Sequence, residues 1–239
     1  MARSEPEVPL GVVIPAYRAA ATVGVVVSGV KQVAPHARIY VVDDGSPDGT
    51  GPAAARAGAV VLGLPVNTGK GAALATGIGR AVRDGAAVLI TLDADGQHAP
   101  REVLQLAAPV AAGQVDLALG ARARTPEMPA GRRFNNWLSA ALVSRVAGYP
   151  VADAQTGFRA FSRRVAEAIR PLQRHYDYEL AFLLDALAAG FRVGSIPVTT
   201  IYDGARSHFQ AMTDTWRLTR VFVRHGVRIL RGGRGRSER

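Results

Sequence analysis

The sequence predicts an α/β protein: a mostly parallel central sheet with helices on both faces, followed by an amphipathic C-terminal helix. Three observations lead there. Short apolar runs without polar alternation recur through the first half, as strands covered on both faces require. Stretches with helical patterning separate them, the arrangement of right-handed β-α-β crossovers. Polar clusters stand at the ends of three of the runs, where open parallel sheets bind their ligands.

The elements follow in order. Residues 10–14 (LGVVI) form an apolar run that Pro15 stops, and residues 19–33 read as a helix. Residues 39–42 form the second run, closed by the turn formers DDGSPDGT at 43–50. Residues 52–57 are helical, 59–64 strand-like and 69–83 helical; 86–92 is a strand that ends at Asp93-Ala94-Asp95. A helix at 100–112 and a strand at 115–119 complete the regular half. Beyond it, 132–147 is predicted helical, and DAQTGFR at 153–159 is a turn leading into Ala160 and Phe161. Residues 177–189 read as a helix, 191–196 as a strand entered through Gly190, and 198–208 as a loop. No internal repeat or low-complexity linker interrupts the chain. The expected division is one domain over residues 1–209 and a basic helix and tail over 210–239.

Composition narrows the function. The 239 residues are 48% hydrophobic and 20% charged, as in a globular protein. Cysteine is absent, which excludes a disulfide scaffold, a thiolate metal site and a cysteine nucleophile. The first residues are polar and do not read as a signal peptide, and no apolar run reaches the ~18 residues of a membrane span. The net charge is +10, and Lys31 and Lys70 are the two lysines, so nearly all basic charge is arginine. From Asp214 to Arg239 the local charge is +6, which points to a partner met by the C-terminal end.

Three clusters carry chemistry. Asp93 and Asp95, one residue apart where backbone leaves a strand, can address one hard cation such as Mg²⁺ or Mn²⁺, with substrate phosphates completing its shell; an acidic turn through Asp95-Gly96 accounts for them equally. Asp43 and Asp44 end another strand, where a carboxylate can accept hydrogen bonds from a base or ribose, or simply cap an Asx turn. Asn67-Thr68-Gly69-Lys70-Gly71 opens a helix whose N-terminus and Lys70 favour phosphate, although the P-loop spacing is missing and a glycine-rich helix start reads the same way.

Taken together, Pro15-Ala16-Tyr17, VVDDGSPDGT (41–50), NTGKGAA (67–73) and DADGQH (93–98) resemble the family 2 glycosyltransferases of GT-A fold. Gly120-Ala121-Arg122, residues 153–159 and residues 176–179 extend the match. Within that family the pattern is most similar to the polyprenyl-phosphate (dolichyl-phosphate) sugar transferases, such as the dolichyl-phosphate mannose synthases. The resemblance implies an inverting transfer of mannose or glucose from a GDP- or UDP-sugar to a polyprenyl phosphate at the cytoplasmic membrane face, with Mg²⁺ or Mn²⁺. It implies that Pro15, Tyr17 and Asp43 line the nucleotide pocket with Asp44 behind them, and that Lys70, Ala94 and Arg206 contact the nucleotide-sugar. Asp93, Asp95 and Gln97 are the implied metal set. Arg122 with Arg132 or Arg133 is implied at the acceptor phosphate, and Asp153 and Glu179 on the acceptor side. The sequence departs from the family where Arg18-Ala19 follow Tyr17 in place of Asn-Glu, and at Tyr202 and Arg206 in the late loop.

The chemistry agrees. An acceptor phosphate is already an anion and needs arginines for positioning rather than a base; a hydroxyl acceptor would instead need a carboxylate base, for which Asp153 and Glu179 are the candidates. A binding protein without turnover is the rival of a different class. At 100° per residue Arg217, Arg220, Arg224, Arg228 and Arg231 fall in one narrow stripe of a helix opening at Trp216, opposite a largely apolar face. Such a helix suits a membrane interface or docking on its own domain. Nothing in the sequence indicates a nucleic-acid reader.

Overall fold

The computed structural model describes residues 8–122, 130–172 and 177–199, with the helical backbone alone for 130–136 and 146. The expected helix at 216–231, the late-loop residues Tyr202, Arg206 and His208, and Tyr176 lie outside the described residues.

A seven-stranded sheet in the order β3-β2-β1-β4-β6-β5-β7 forms the centre. Its strands are β1 (Leu10–Ala16), β2 (Arg38–Asp43), β3 (Val60–Gly63), β4 (Val88–Thr91), β5 (Leu117–Arg122), β6 (Arg159–Ser162) and β7 (Val193–Val198). β1 pairs parallel with β2 and β4, β2 with β3, and β5 with β7. β6 runs antiparallel between β4 and β5. The mostly parallel sheet is thus as expected, and the antiparallel strand is where the chain after the turn at 153–159 goes. β6 has two covered faces, so its sequence, RAFS, shows no alternation.

Helices cover both faces. α1 (Val23–Val33), α2 (Thr50–Arg56) and α4 (Val103–Ala111) lie on one side; α3 (Lys70–Arg83), α6 (Arg163–Ala168) and α7 (Asp177–Ala188) lie on the other, joined there by Val143 of α5 (Ala130–Ala147). α1 shows what holds such a helix. Its valines and glycines are poor helix formers, yet Val23, Val26, Val27 and Val30 repeat at helical spacing and are buried. Each buried valine contributes about 1.5–3 kcal/mol, enough to override propensity.

The helix begins at Val23 rather than at residue 19 because the preceding segment is held elsewhere. Arg18 has φ 52, and the backbone N–H groups of Arg18, Ala19 and Ala20 donate to Ser46 Oγ, Thr50 Oγ1 and Asp48 Oδ2. Pro15 does not stop β1, which continues to Ala16. Leu92 N donates to Val13 O, so odd positions of β1 face β4. At Pro15, two residues on, β4 has left the ladder, and no donor is missed.

The register brings the carboxyl ends of the strands together. Ala16 sits beside Asp43 and Asp43 beside Gly63, Thr91 is beside Val13 and Arg159, and Arg122 is beside Val198. A 3₁₀ turn at Pro100–Glu102 leads into α4, and both carboxylate oxygens of Glu102 accept from Thr199 N at 3.0 Å, just past β7.

α3 packs on β1 and β2 through Gly77, where a Cβ would lie 2.4 Å from Val13 Cγ1 and 2.9 Å from Val42 Cγ2. Both valines are fully buried and branched, so neither can yield. Gly77→Ala should therefore lower the urea midpoint: the overpacking, about 1–3 kcal/mol, and the forced shift of α3 outweigh the gain in helix propensity of about 1 kcal/mol. An unchanged or raised midpoint would show that the helix can slide off the sheet without cost.

Candidate active site

The polar residues gather beyond the carboxyl ends of β1, β2, β4 and β5. On the β1–β2 side, Tyr17 is exposed, with the Arg18 guanidinium 5.3 Å from its ring centre. Pro15 is buried in the strand behind it. The two adjacent acids behave differently. Asp44 is 3% exposed, and its oxygens accept from Thr68 N, Thr68 Oγ1 and Gly69 N, each at 2.8 Å. It is a bracket that fixes the start of α3 against the end of β2. Asp43 accepts one backbone N–H on each oxygen, from Ser46 and Gly51 at 3.0 Å, and is only half-buried. Of the pair, Asp43 is the one that still meets solvent.

At the end of β4 the geometry is ionic. Lys70, the first residue of α3, places Nζ 2.7 Å from Asp93 Oδ1 and 2.6 Å from Glu179 Oε1 in the first turn of α7. The three side chains are 18%, 24% and 7% exposed, so the charges sit in a sheltered, weakly screened place. Burial is the largest influence on Asp93 and opposes its ionisation, but the charge and hydrogen bond of Lys70 together with the other nearby positive groups outweigh it and hold the carboxyl below its usual value. Likewise the two carboxylates overcome burial and raise Lys70. Gly157 makes this possible: a Cβ there would stand 2.7 Å from Asp93 Oδ2. Thr91 Oγ1 donates to Gly157 O at 2.7 Å and holds the glycine in place.

Behind this triple lies Arg159, the bulkiest fully buried side chain among the described residues. It donates to the carbonyls of Thr156 (2.8 Å), Ala154 (3.0 Å) and Glu179. Burial lowers its pKa to about 10, so it stays charged at neutral pH and offsets the surplus negative charge of the triple. His98 is 3% exposed, packs on Phe158 at 5.1 Å, and has Nε2 3.9 Å from Asp93 Oδ2, while its Nδ1 is buried with no hydrogen-bond partner. Burial depresses its pKa, so it stands neutral.

Asp95 points outward. It is exposed, and one oxygen accepts from Gln97 N at 3.0 Å; Ala94 between the acids is buried, and Gln97 is half-buried. Among the described residues no group of three or more acidic or histidine side chains converges on one point. The residues present fit a divalent cation all the same. One or two carboxylates with substrate phosphates and water are the usual holders of Mg²⁺, which needs no closed protein cage.

On the far side, Arg122 and Asp153 form a two-pronged pair, Nε to Oδ2 at 2.7 Å and Nη2 to Oδ1 at 3.2 Å, with Asp153 also accepting from Gln155 N. Both are nearly buried. Arg132 and Arg133 are in the first turn of α5; Arg206 lies outside the described residues. The site expected from the sequence is therefore assembled in part: Asp93 and Lys70 meet directly, Asp43 and Tyr17 share the β1–β2 edge, and Arg122 meets Asp153. The sequence reading missed Arg159, whose buried charge at a strand start resembles a surface residue, and the partnership of Lys70 with Glu179. Two grooves, of about 510 Å³ at the amino end of the sheet (Leu10, Val88, Leu104) and about 350 Å³ beside Tyr149 and Phe191, stand away from these charges. The chemistry follows the convergent ionisable groups, not groove volume.

The sequence signature described as Glycosyl transferase family 2 matches residues 11–170. An uncharacterised protein of Methanocaldococcus jannaschii is 34% identical over 197 residues, spanning 80% of this chain and 81% of its own length. The polyprenol monophosphomannose synthase of Mycolicibacterium smegmatis is 34% identical over 206 residues, spanning 79% and 76%. In fold, the chain is similar to the glucosyl-3-phosphoglycerate synthase of Mycobacterium tuberculosis crystallised with Mn²⁺, UDP and phosphoglyceric acid: TM-score 0.70, 20% identity, 92% of this chain and 78% of that one.

Two outcomes test this geometry. Asp44→Ala should cost about 2–3 kcal/mol of unfolding free energy, since it strands backbone and hydroxyl donors that a buried carboxylate now accepts; a loss under 0.5 kcal/mol in urea unfolding would deny its bracket role. His98 binds its proton more weakly folded than unfolded, so the unfolded chain gains protons first as pH falls below about 6.5, and stability falls with it. The slope is at most about 1.4 kcal/mol per pH unit. His98→Phe should flatten that part of the stability–pH curve and leave in place the part below about pH 4, owed to Asp93 and to the other carboxylates held below their usual range, Asp48, Asp84 and Asp116.

Proposed function

The chain belongs to glycosyl transferase family 2, and from that membership we propose that it transfers a hexose, mannose or glucose, from a GDP- or UDP-sugar to a polyprenyl phosphate, inverting the anomeric carbon. That it is a glycosyltransferase follows from the family; the donor, the acceptor and the metal are our reading. The acceptor rests on one observation above the others. Both oxygens of Asp153 are clasped by Arg122, which leaves that carboxylate badly placed to take a proton from a sugar hydroxyl. Glu179 is likewise committed to Lys70. A phosphate acceptor needs no such base, and the mycolicibacterial relative is named a polyprenol monophosphomannose synthase.

In this reading Tyr17 and Asp43 border the nucleotide, backed by Pro15 and Asp44. Lys70, Ala94 and Arg206 adjoin the sugar diphosphate. Asp95 and Gln97, with Asp93 beside them, hold a divalent cation, Mg²⁺ or Mn²⁺. When bound, the cation supplies Lewis-acid neutralisation of the diphosphate charge; the manganese and UDP in the solved neighbour agree with such a group in this fold. Arg122 with Arg132 and Arg133 steers the acceptor phosphate. A phosphate oxygen forms the new bond to the anomeric carbon as the bond to the diphosphate breaks, and the electron pair leaves with the diphosphate. Asp93, fixed by Lys70, keeps the donor side rigid while this happens. We further propose that residues 210–239, whose sequence is strongly basic, rest on the cytoplasmic membrane face. No helix of the described residues is long and apolar enough to cross a membrane, so the contact we propose is peripheral.

Incubation with a panel of GDP- and UDP-hexoses, Mg²⁺ or Mn²⁺, and polyprenyl phosphate should yield a lipid-linked sugar. Asp95→Ala, at an exposed position, should keep the melting temperature and lose about 10²–10³ in turnover, the scale of removing one group that stabilises developing charge. A panel that gives product only with a hydroxyl acceptor would replace the phosphate reading.

A further inference from the structure

We infer that Glu179 is a positioning residue on the donor side of the site: it holds Asp93 through Lys70 for the divalent cation and takes no part at the acceptor. The side chain is 7% exposed and lies in α7, which is buried from Tyr178 to Leu184. The residue is tied at both ends. Oε1 stands 2.6 Å from Lys70 Nζ, and the main-chain carbonyl accepts from Arg159 Nη1. A carboxylate so placed cannot turn out to a lipid phosphate or a sugar hydroxyl without breaking a sheltered ion pair.

Two routes lead from Glu179 to Asp93, one to each carboxylate oxygen. The first is the lysine, whose Nζ is 2.7 Å from Asp93 Oδ1. The second runs through backbone. Arg159, anchored on the Glu179 carbonyl, also donates to the carbonyls of Ala154 and Thr156, which fixes the chain on its approach to Gly157. Thr91 Oγ1 secures the Gly157 carbonyl at 2.7 Å, and the missing side chain of that glycine is the space Asp93 Oδ2 occupies. The ring closes on itself, so Asp93 is set before any ligand arrives. Charge points the same way. Asp93 and Glu179 cancel Lys70 and Arg159, and without the Glu179 charge an incoming dication would meet a net positive group. Residues that hold a metal-binding side chain from behind commonly contribute 10–100-fold in metal affinity. The inference rests on the reading above that Asp93, Asp95 and Gln97 hold a divalent cation.

The test uses the full chain and two variants. Glu179→Gln keeps an oxygen for the lysine and removes the charge; Glu179→Asp keeps the charge and loses the reach. In Mn²⁺ titrations with GDP and, separately, UDP, read by electron paramagnetic resonance, both variants should bind Mn²⁺ about 10-fold or more weakly. The Mn²⁺ concentration for half-maximal transfer should rise by a similar factor, and the KM for polyprenyl phosphate should stay in place. The chain has two lysines, exposed Lys31 and sheltered Lys70, so ¹⁵N-lysine labelling isolates one slowly exchanging ammonium signal, which both variants should shift or broaden. Wild-type Mn²⁺ affinity in either variant, or an unmoved Lys70 signal, would overturn the proposal. So would a raised acceptor KM with Mn²⁺ affinity unchanged, which would return Glu179 to the acceptor side, and so would a wild-type chain that binds no Mn²⁺ with either nucleotide. Absence of transfer to every acceptor would defeat the function proposed above, and the Mn²⁺ and lysine results would still decide this one.

Discussion

The site depends on one ammonium shared by two carboxylates. Lys70 joins three elements distant in sequence: the start of α3, the end of β4 through Asp93, and the first turn of α7 through Glu179. Removing one member of so sheltered a group typically costs about 3–5 kcal/mol, because the charges left behind are neither paired nor hydrated. The arrangement also explains its neighbours. Arg159 is needed nearby as a second cation, Gly157 must lack a side chain, and His98 must be neutral so as not to compete with Lys70 for Asp93.

The antiparallel strand is the second constraint. By running back between β4 and β5, β6 delivers residues 151–158 to the mouth of the cleft, where Asp153 finds Arg122. A purely parallel sheet would carry that loop to the opposite edge. One reversal of direction thus converts the half-sheet of β1 to β4 into a cleft with two sides, which the proposed function gives to donor and acceptor.

Much of the parallel half was legible in the sequence, since each buried strand there is a run of apolar residues ended by a polar cluster. The family resemblance likewise named residues that the fold gathers beyond the carboxyl ends of the strands. What was not legible has physical reasons. β6 is four residues long and opens with a buried arginine, satisfied by three carbonyls that only the folded chain supplies. α6 is a single short helix. Glu179 lies 109 residues from Lys70, and no local pattern encodes so remote a pairing. The difference between Asp43 and Asp44 is one of direction: the carboxylate that turns inward becomes a bracket, and its neighbour remains available. The start of α1 was misread because loop hydroxyls and a carboxylate, rather than helical turns, hold the backbone at residues 18–20.

The paired grip of Glu102 on the Thr199 amide has a mechanical reading. It fastens the exit of β7 to the turn that follows Asp95 and Gln97, and a hydrogen bond to a charged acceptor is among the stronger ones available. Tension applied to the downstream chain therefore reaches the acidic loop through a link one residue deep, without crossing the sheet. A pull from beyond Thr199 is felt first at the acidic loop.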